Sequence, residues 1–290
     1  MLFFQCESLI PFCWVRSSDA PIRVTTSGNA SLFHGVPDWV YEEEIFSADY
    51  ATWWSPDSKK VAFLTFDETS VNEFTFPIYN PTGDSDAIIP YTEEITMKYP
   101  KPGYNNPLVS VRVFDLGAYL DETAIIGGVL SDDFTLELDW EGRQAQDSSI
   151  IMDIAWVGNN SLILKEVNRN ADVGNVVLFD LDGPRSSGRN VGQVVRKLGR
   201  DGEQGDDGWI DATQTVFPLP PGLSPHGSSA YLDIVPSKDG FDHIALFIPA
   251  SSGTPIFLTS GEWEVTGEIQ AVDVERRLVY VSSNFWLARI

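Results

Sequence analysis

Three consecutive glutamates, Glu42, Glu43 and Glu44, stand inside the stretch DWVYEEEIFS (38–47). Trp39, Val40 and Tyr41 precede them, and Ile45 and Phe46 follow. Carboxylates placed this close raise one another's pKa until a positive charge arrives. A docking ammonium relieves that repulsion, which is a physical basis for selecting a cation. The same run also suits a solvated, charged helix face, and the residues alone leave both readings open. Pro37-Asp38 marks a helix start, because Asp38 can accept from the N–H groups of the next turn. The pattern predicts a short helix from Trp39 to Phe46. Side chains in an α-helix step by about 100°, so Glu42 and Glu43 do not share one face, nor do Glu43 and Glu44. Two neighbours can still converge on a small cation held between them.

The chain offers little else in the way of reactive groups. The nucleophile elbow G-x-S-x-G is absent; GLSPHG (222–227) has one residue too many, and Pro225 opposes the strand-turn-helix shape the serine needs. His34, His226 and His243 are the only histidines, and none has metal-ligand spacing. His243 reads as an ordinary residue opening a strand. No phosphate or dinucleotide loop occurs, so no catalytic residue, metal or cofactor is assigned. Asn29-Ala-Ser and Asn159-Asn-Ser are glycosylation acceptors if the chain enters the secretory route.

Composition narrows the partners. The chain has 290 residues, 19 basic against 42 acidic side chains and a formal charge of −23. Such a surface repels nucleic acid and anionic membrane and attracts cations. Cys6 and Cys13 are the only cysteines, too few for a disulfide framework. No stretch reaches the ~20 apolar residues of a membrane span. The start, MLFFQCESLIPFCWVR (1–16), lacks a basic n-region and reads poorly as signal peptide, strand or helix. It is set apart as an atypical leader.

The elements that must position the acidic run are strands. VAFLTF (61–66), LVSVRVFDL (108–116), SLILKEV (161–167), NVVLFDLD (175–182), AYLDIV (230–235), HIALFI (243–248), PIFLT (255–259) and RLVYVSS (277–283) are short β-branched or aromatic runs, most of them bounded by turn residues. Clear amphipathic helices are missing, so the fold class is all-β. WWSPDSKKVAFL (53–64) and IAWVGNNSLILKEV (154–167) share an outline of aromatic strand end, turn and strand. Their tryptophans lie about 100 residues apart, roughly two units of the ~40–50 residues of a propeller blade. A β-propeller of four-stranded antiparallel blades follows, with a sandwich as the alternative. Six prolines in residues 71–107 rule out a central strand there and predict an extended arm. Residues 183–208, rich in Gly, Arg, Asp and Gln, are expected to form an exposed loop.

DWVYEEEIF (38–46), ATWWSPDSKKVAFLTFDET (51–69) and MKYPKPGYNNPLVSV (97–111) together resemble the propeller of the dipeptidyl peptidase IV family. GEQGDDGWID (202–211), LTSGEWEVTGEI (258–269) and AVDVERRLVYV (271–281) look like its fungal vacuolar branch. The resemblance implies a serine exopeptidase that removes N-terminal dipeptides, in which an eight-bladed propeller covers an α/β-hydrolase domain. It implies that Glu43 and Glu44 bind the free amine of a peptide N-terminus, while Glu42 matches the motif without that role. It also implies a homodimer contact through the 71–107 arm and a vacuolar membrane or lumenal location.

Other parts of the family pattern are not found in this chain. Neither the hydrolase Ser-Asp-His set nor the early blades with a substrate-anchoring arginine are matched, and residues 1–16 do not match. The expectation is an incomplete propeller over 17–290, catalytically silent by itself, with exposed blade flanks that make the isolated chain marginally soluble or oligomeric. A propeller that recruits protein partners, or a non-functional truncated gene product, are the alternatives.

Overall fold

A computed structural model describes residues 3–7, 10–14, 22–126, 131–183, 185–186, 189–205, 208–211, 215–220, 223 and 228–284. Just under half of them lie in strands. β1 (Phe3–Glu7), β2 (Ile10–Trp14) and β3 (Ile22–Arg23) form a small antiparallel sheet. The leader thus holds two strands, where its sequence reads poorly as either kind of element. Pairing supplies what local pattern does not: Phe3 stands opposite Trp14 and Glu7 opposite Ile10.

Ten strands make the main sheet. β4 (Leu32–His34), β5 (Thr52–Trp54) and β6 (Lys60–Asp67) come first. β6 is buried from Val61 to Phe66, as a continuous apolar run requires. β7 (Glu73–Ile78) and β8 (Glu93–Lys98) leave this sheet and pair only with each other. This hairpin is the arm expected from the prolines. Pro77 sits within it opposite Glu94, in a ribbon where each strand is an edge and a missing N–H is tolerated.

β9 (Leu108–Asp115) returns beside β6. An α-helix, α1 (Leu116–Ile126), follows directly. No amphipathic signal announces it. Its start is fixed by Asp115, whose carboxylate accepts from Ala118 N at 2.9 Å.

β10 (Thr135–Trp140), β11 (Ile150–Trp156), β12 (Ser161–Val167), β13 (Val173–Asp180), β14 (Arg185–Ser186) and β15 (Arg189–Gly199) complete the sheet. Its order is β11-β12-β13-β15-β10-β9-β6-β4, with β5 on β6 and β14 on β15. β15 overturns the expectation of a loop over 183–208. Its polar residues alternate with buried Asn190, Gly192, Arg196 and Leu198, and that alternation is a strand signal. The N-terminal part of β15 pairs in parallel with β10, and its remainder pairs antiparallel with β13. It therefore joins two antiparallel groups into one sheet.

β16 (Phe217–Pro218), β17 (Tyr231–Pro236), β18 (Asp242–Phe247) and β19 (Ile256–Phe257) form a four-stranded antiparallel sheet. β20 (Val265–Asp273) and β21 (Leu278–Ser283) form the last pair. One core cluster joins Tyr41, Phe66, Leu138, Trp156 and Phe179 within the large sheet, and a second packs Ile163 and Val176 against Tyr231 and Phe247. Across this second junction, Asp233 accepts from Lys165 and Arg196, each at 2.7 Å. Among the described residues, no helix is long and apolar enough to cross a membrane.

Candidate functional site

The acidic run folds as a short helix, but of wider pitch than an α-helix: Tyr41–Phe46 is a π-helical turn. Asp38 starts it as expected. Its two carboxylate oxygens accept from Val40 N and Tyr41 N, each at 3.2 Å, and its carbonyl accepts from Glu42 N at 2.9 Å. Ser47 ends the turn in the left-handed region, at φ 49°. Single π-turns are uncommon and recur at functional sites.

The apolar neighbours fix this turn to the sheet. Tyr41 is buried, with its ring 4.7 Å from that of Phe66 and 5.5 Å from that of Phe46. Its hydroxyl accepts from Ile151 N on β11 at 3.0 Å. Phe46 in turn meets Trp53, and Trp39 meets Tyr99 at 4.4 Å between ring centres. Glu42, Glu43 and Glu44 all remain exposed. Among the described residues, none of the three carboxylates has a hydrogen-bond or ion-pair partner. The structure thus presents three open acceptors on a rigidly held turn.

Behind the turn lies an acidic feature that sequence reasoning missed. Glu68, just beyond β6, is only 4% exposed and lines a cavity of about 400 Å³ together with Asp38. Burial, with Asp38 nearby, pushes the Glu68 carboxyl up to about 7, against the pull of Lys98. Burial likewise pushes Asp38 up to about 6, against its backbone hydrogen bonds. The one available signal was a glutamate closing an apolar strand, in FLTFDET (63–69). It says nothing of what the chain folds against it.

The remaining candidates are dispersed. His34 is buried between Ser27 and Thr65 hydroxyls, at 3.0 and 2.9 Å from its ring nitrogens. His243 lies at the start of β18, near Gly261 O and Thr259 Oγ1 and edge-on to Trp263. His226 and most of GLSPHG fall outside the described residues. Asn29 and Asn159 both occupy exposed turns. Trp156 Nε1 donates to Trp53 O at 2.9 Å, and Lys60 Nζ to Asn160 Oδ1 at 2.7 Å, so the two repeated stretches touch each other.

Comparisons with known proteins agree with this architecture. The family model described as dipeptidyl peptidase IV N-terminal region matches residues 12–285. The probable dipeptidyl-aminopeptidase B of Neosartorya fischeri is 36% identical over 271 residues, covering 91% of this chain and 27% of the relative. That of Podospora anserina is 37% identical over 267 residues, covering 90% and 26%. The chain therefore spans about a quarter of the length of these curated relatives. Among solved structures, Porphyromonas gingivalis dipeptidyl peptidase 4 superposes with a TM-score of 0.70 at 24% identity, over 97% of this chain and 34% of that one. A putative dipeptidyl aminopeptidase IV from Bacteroides ovatus gives 0.64 at 17% identity, over 94% and 35%. The match over nearly the whole sequence, on a strand-rich frame shared with these structures, makes this chain a member of the dipeptidyl peptidase IV N-terminal-region family.

Proposed function

We propose that this chain is the substrate-recognising propeller portion of a dipeptidyl peptidase, holding the free amine of a peptide N-terminus between Glu43 and Glu44. The observation that carries this reading is the pair of open carboxylates on a turn locked by Asp38 and Tyr41. An ammonium carries N–H donors that both carboxylates can accept, and charge-assisted hydrogen bonds of this kind are among the stronger ones. A fixed amine site acts as a ruler, because it sets how far along the peptide a catalytic serine meets the chain. The chain's own sequence has no G-x-S-x-G serine, so hydrolysis is assigned to a hydrolase domain outside it. By itself, this portion binds and does not cleave.

In this reading the strands belong to four-stranded blades of an eight-bladed propeller, of which the β16–β19 sheet has the strand number of one blade. The β7–β8 hairpin is a homodimer contact. Its tip exposes Tyr79, Ile88 and Tyr91, at 76%, 92% and 85%, and apolar groups so exposed favour a partner surface. A vacuolar setting and sugar on Asn29 and Asn159 belong to the same reading.

The test is peptide binding. A peptide with a free N-terminus is expected to bind about tenfold more tightly than its N-acetylated form, one charge-assisted bond's worth. Replacing Glu43→Gln and Glu44→Gln together is expected to erase that preference. Equal binding of the two peptides by the unaltered chain would remove the amine clamp and favour a general protein-interaction module.

A further inference from the structure

Among the described residues, the cavity behind the acidic turn is lined by three carboxylates, Asp38, Glu68 and Glu73, against one cation, Lys98. It lies where the start of the turn, the segment leading into β4, the end of β6 and the root of the β7–β8 arm meet. Its volume of about 400 Å³ falls within the range of small-molecule sites, roughly 300–1,000 Å³.

Glu68 is the decisive residue. It is 96% buried on the 4% exposure given above, yet among the described residues its carboxylate accepts no hydrogen bond and forms no ion pair. Its carboxylate oxygens are not among the fully buried unpartnered atoms; they keep accessible surface where Glu68 lines the cavity, so a partner must reach them from there. The nearest lysine does not do so. Lys98 Nζ donates to Val71 O at 2.9 Å and stands 3.8 Å from Glu73. Asp38, also buried, adds a second negative charge beside Glu68.

Phe33, Trp39 and Met97 give the walls an apolar and aromatic part, and Ser31, Thr96 and Lys98 a polar one. Trp39 is held by its contact with Tyr99. Carboxylates with aromatic and aliphatic walls suit an organic cation, through hydrogen bonds at the head and ring-face and apolar contact along the stem. A metal ion would call for more oxygen ligands. No group of three or more His, Cys, Asp or Glu able to hold one occurs among the described residues.

We infer that the cavity between Asp38, Glu68, Phe33 and Trp39 is a binding site for a small alkylammonium ion, separate from the Glu43–Glu44 clamp. The ammonium head pairs with Glu68, and the alkyl stem lies along Trp39 and Met97. The charged groups that face or adjoin the site are Asp38 and Glu42 from the turn, Glu68 from the end of β6, Glu73 from β7 and Lys98 from β8. Their sum is negative. Occupancy bridges the base of the acidic turn and the root of the arm.

The probe is n-butylammonium chloride, titrated calorimetrically into the full chain at pH 7.5 and constant ionic strength. Saturable binding is expected. It should weaken about tenfold or more at pH 5.5, where Glu68 takes up a proton. Glu68→Gln should weaken it about tenfold, the worth of a charge-assisted bond. The Glu43→Gln, Glu44→Gln double variant should bind n-butylammonium as before, so this site and the amine clamp succeed or fail independently. Met97→Lys, which brings its own ammonium to the cavity, should raise the melting temperature and abolish binding. Unchanged binding by Glu68→Gln would overturn the proposal. So would equal binding of neutral n-butanol, the mark of a merely apolar hole, or displacement of n-butylammonium by calcium chloride, the mark of a metal site.

Discussion

Tyr41 shows how one hydroxyl holds a functional turn. It accepts the N–H of Ile151 from a strand 110 residues away in sequence, and both residues are buried. Tyr41→Phe leaves that N–H without a partner and is expected to lower stability by about 1–3 kcal/mol in urea unfolding. Because the turn is then free to tilt, the preference for a free peptide N-terminus should fall as well. The acids behind the turn give stability a definite pH dependence. Asp38 at about 6 and Glu68 at about 7 both titrate above their ordinary values of 3.8 and 4.5. The native state therefore binds more protons than the unfolded chain between about pH 4 and 7, and stability falls as pH rises through that window. The contribution of these two acids is full below pH 4 and lost above 7. Melting temperatures should show a decline from pH 5 to 7 that is shallower in Glu68→Gln.

Among the elements, β15 is the one on which the large sheet depends. Its Gly192 passes so close to β13 that an added Cβ would lie 2.6 Å from the Phe179 ring and 2.6 Å from Val177 Cγ1. Gly192→Ala therefore overpacks the join between the two strand groups. A loss of about 1–3 kcal/mol is expected by thermal or urea unfolding. The next junction, between β12, β15 and β17, rests on charge. Asp233 bridges Lys165 and Arg196, and Arg196 also pairs with Glu203 and lies over Phe247. Asp233→Ala removes the acceptor that Lys165 and Arg196 share, leaving Arg196 with Glu203 alone, and should cost about 3–5 kcal/mol. A paired-charge contact of this kind is specific in register, since only one alignment of the two sheets satisfies both cations.

Among the described residues, exposed apolar side chains gather at two places in particular. One is the tip of the arm, at Tyr79, Ile88 and Tyr91; the other is the last two sheets, where Ile256, Phe257, Leu258, Leu278 and Tyr280 are each between 39% and 50% exposed. Contiguous apolar surface favours association. The isolated chain is expected to elute above its monomer mass of 32.2 kDa in multi-angle light scattering. Ile88→Lys with Tyr91→Lys should shift it toward monomer if the arm makes the contact. A sharp monomer peak for the unaltered chain would show that neither surface mediates self-association.

The strand-rich class, the exposed arm and the capped acidic turn were legible in the sequence because each is written in neighbouring residues. Short β-branched runs such as SLILKEV need no distant partner to be recognised, and the observed β12 spans the same residues. The prolines of residues 71–107 weigh against a central strand there, and Asp38 caps the N–H groups two and three residues ahead. What tertiary structure decided is everything that depends on what folds opposite. RNVGQVVRKLG reads as loop by composition and became a central strand because β10 and β13 offer it partners on both edges. The leader became a hairpin through pairing. Glu68 follows an apolar strand in the sequence, but only the arm and the acidic turn packed around it make it a largely buried glutamate lining a cavity. Hydrophobic period and turn chemistry are local, whereas desolvation is a property of the whole packed neighbourhood.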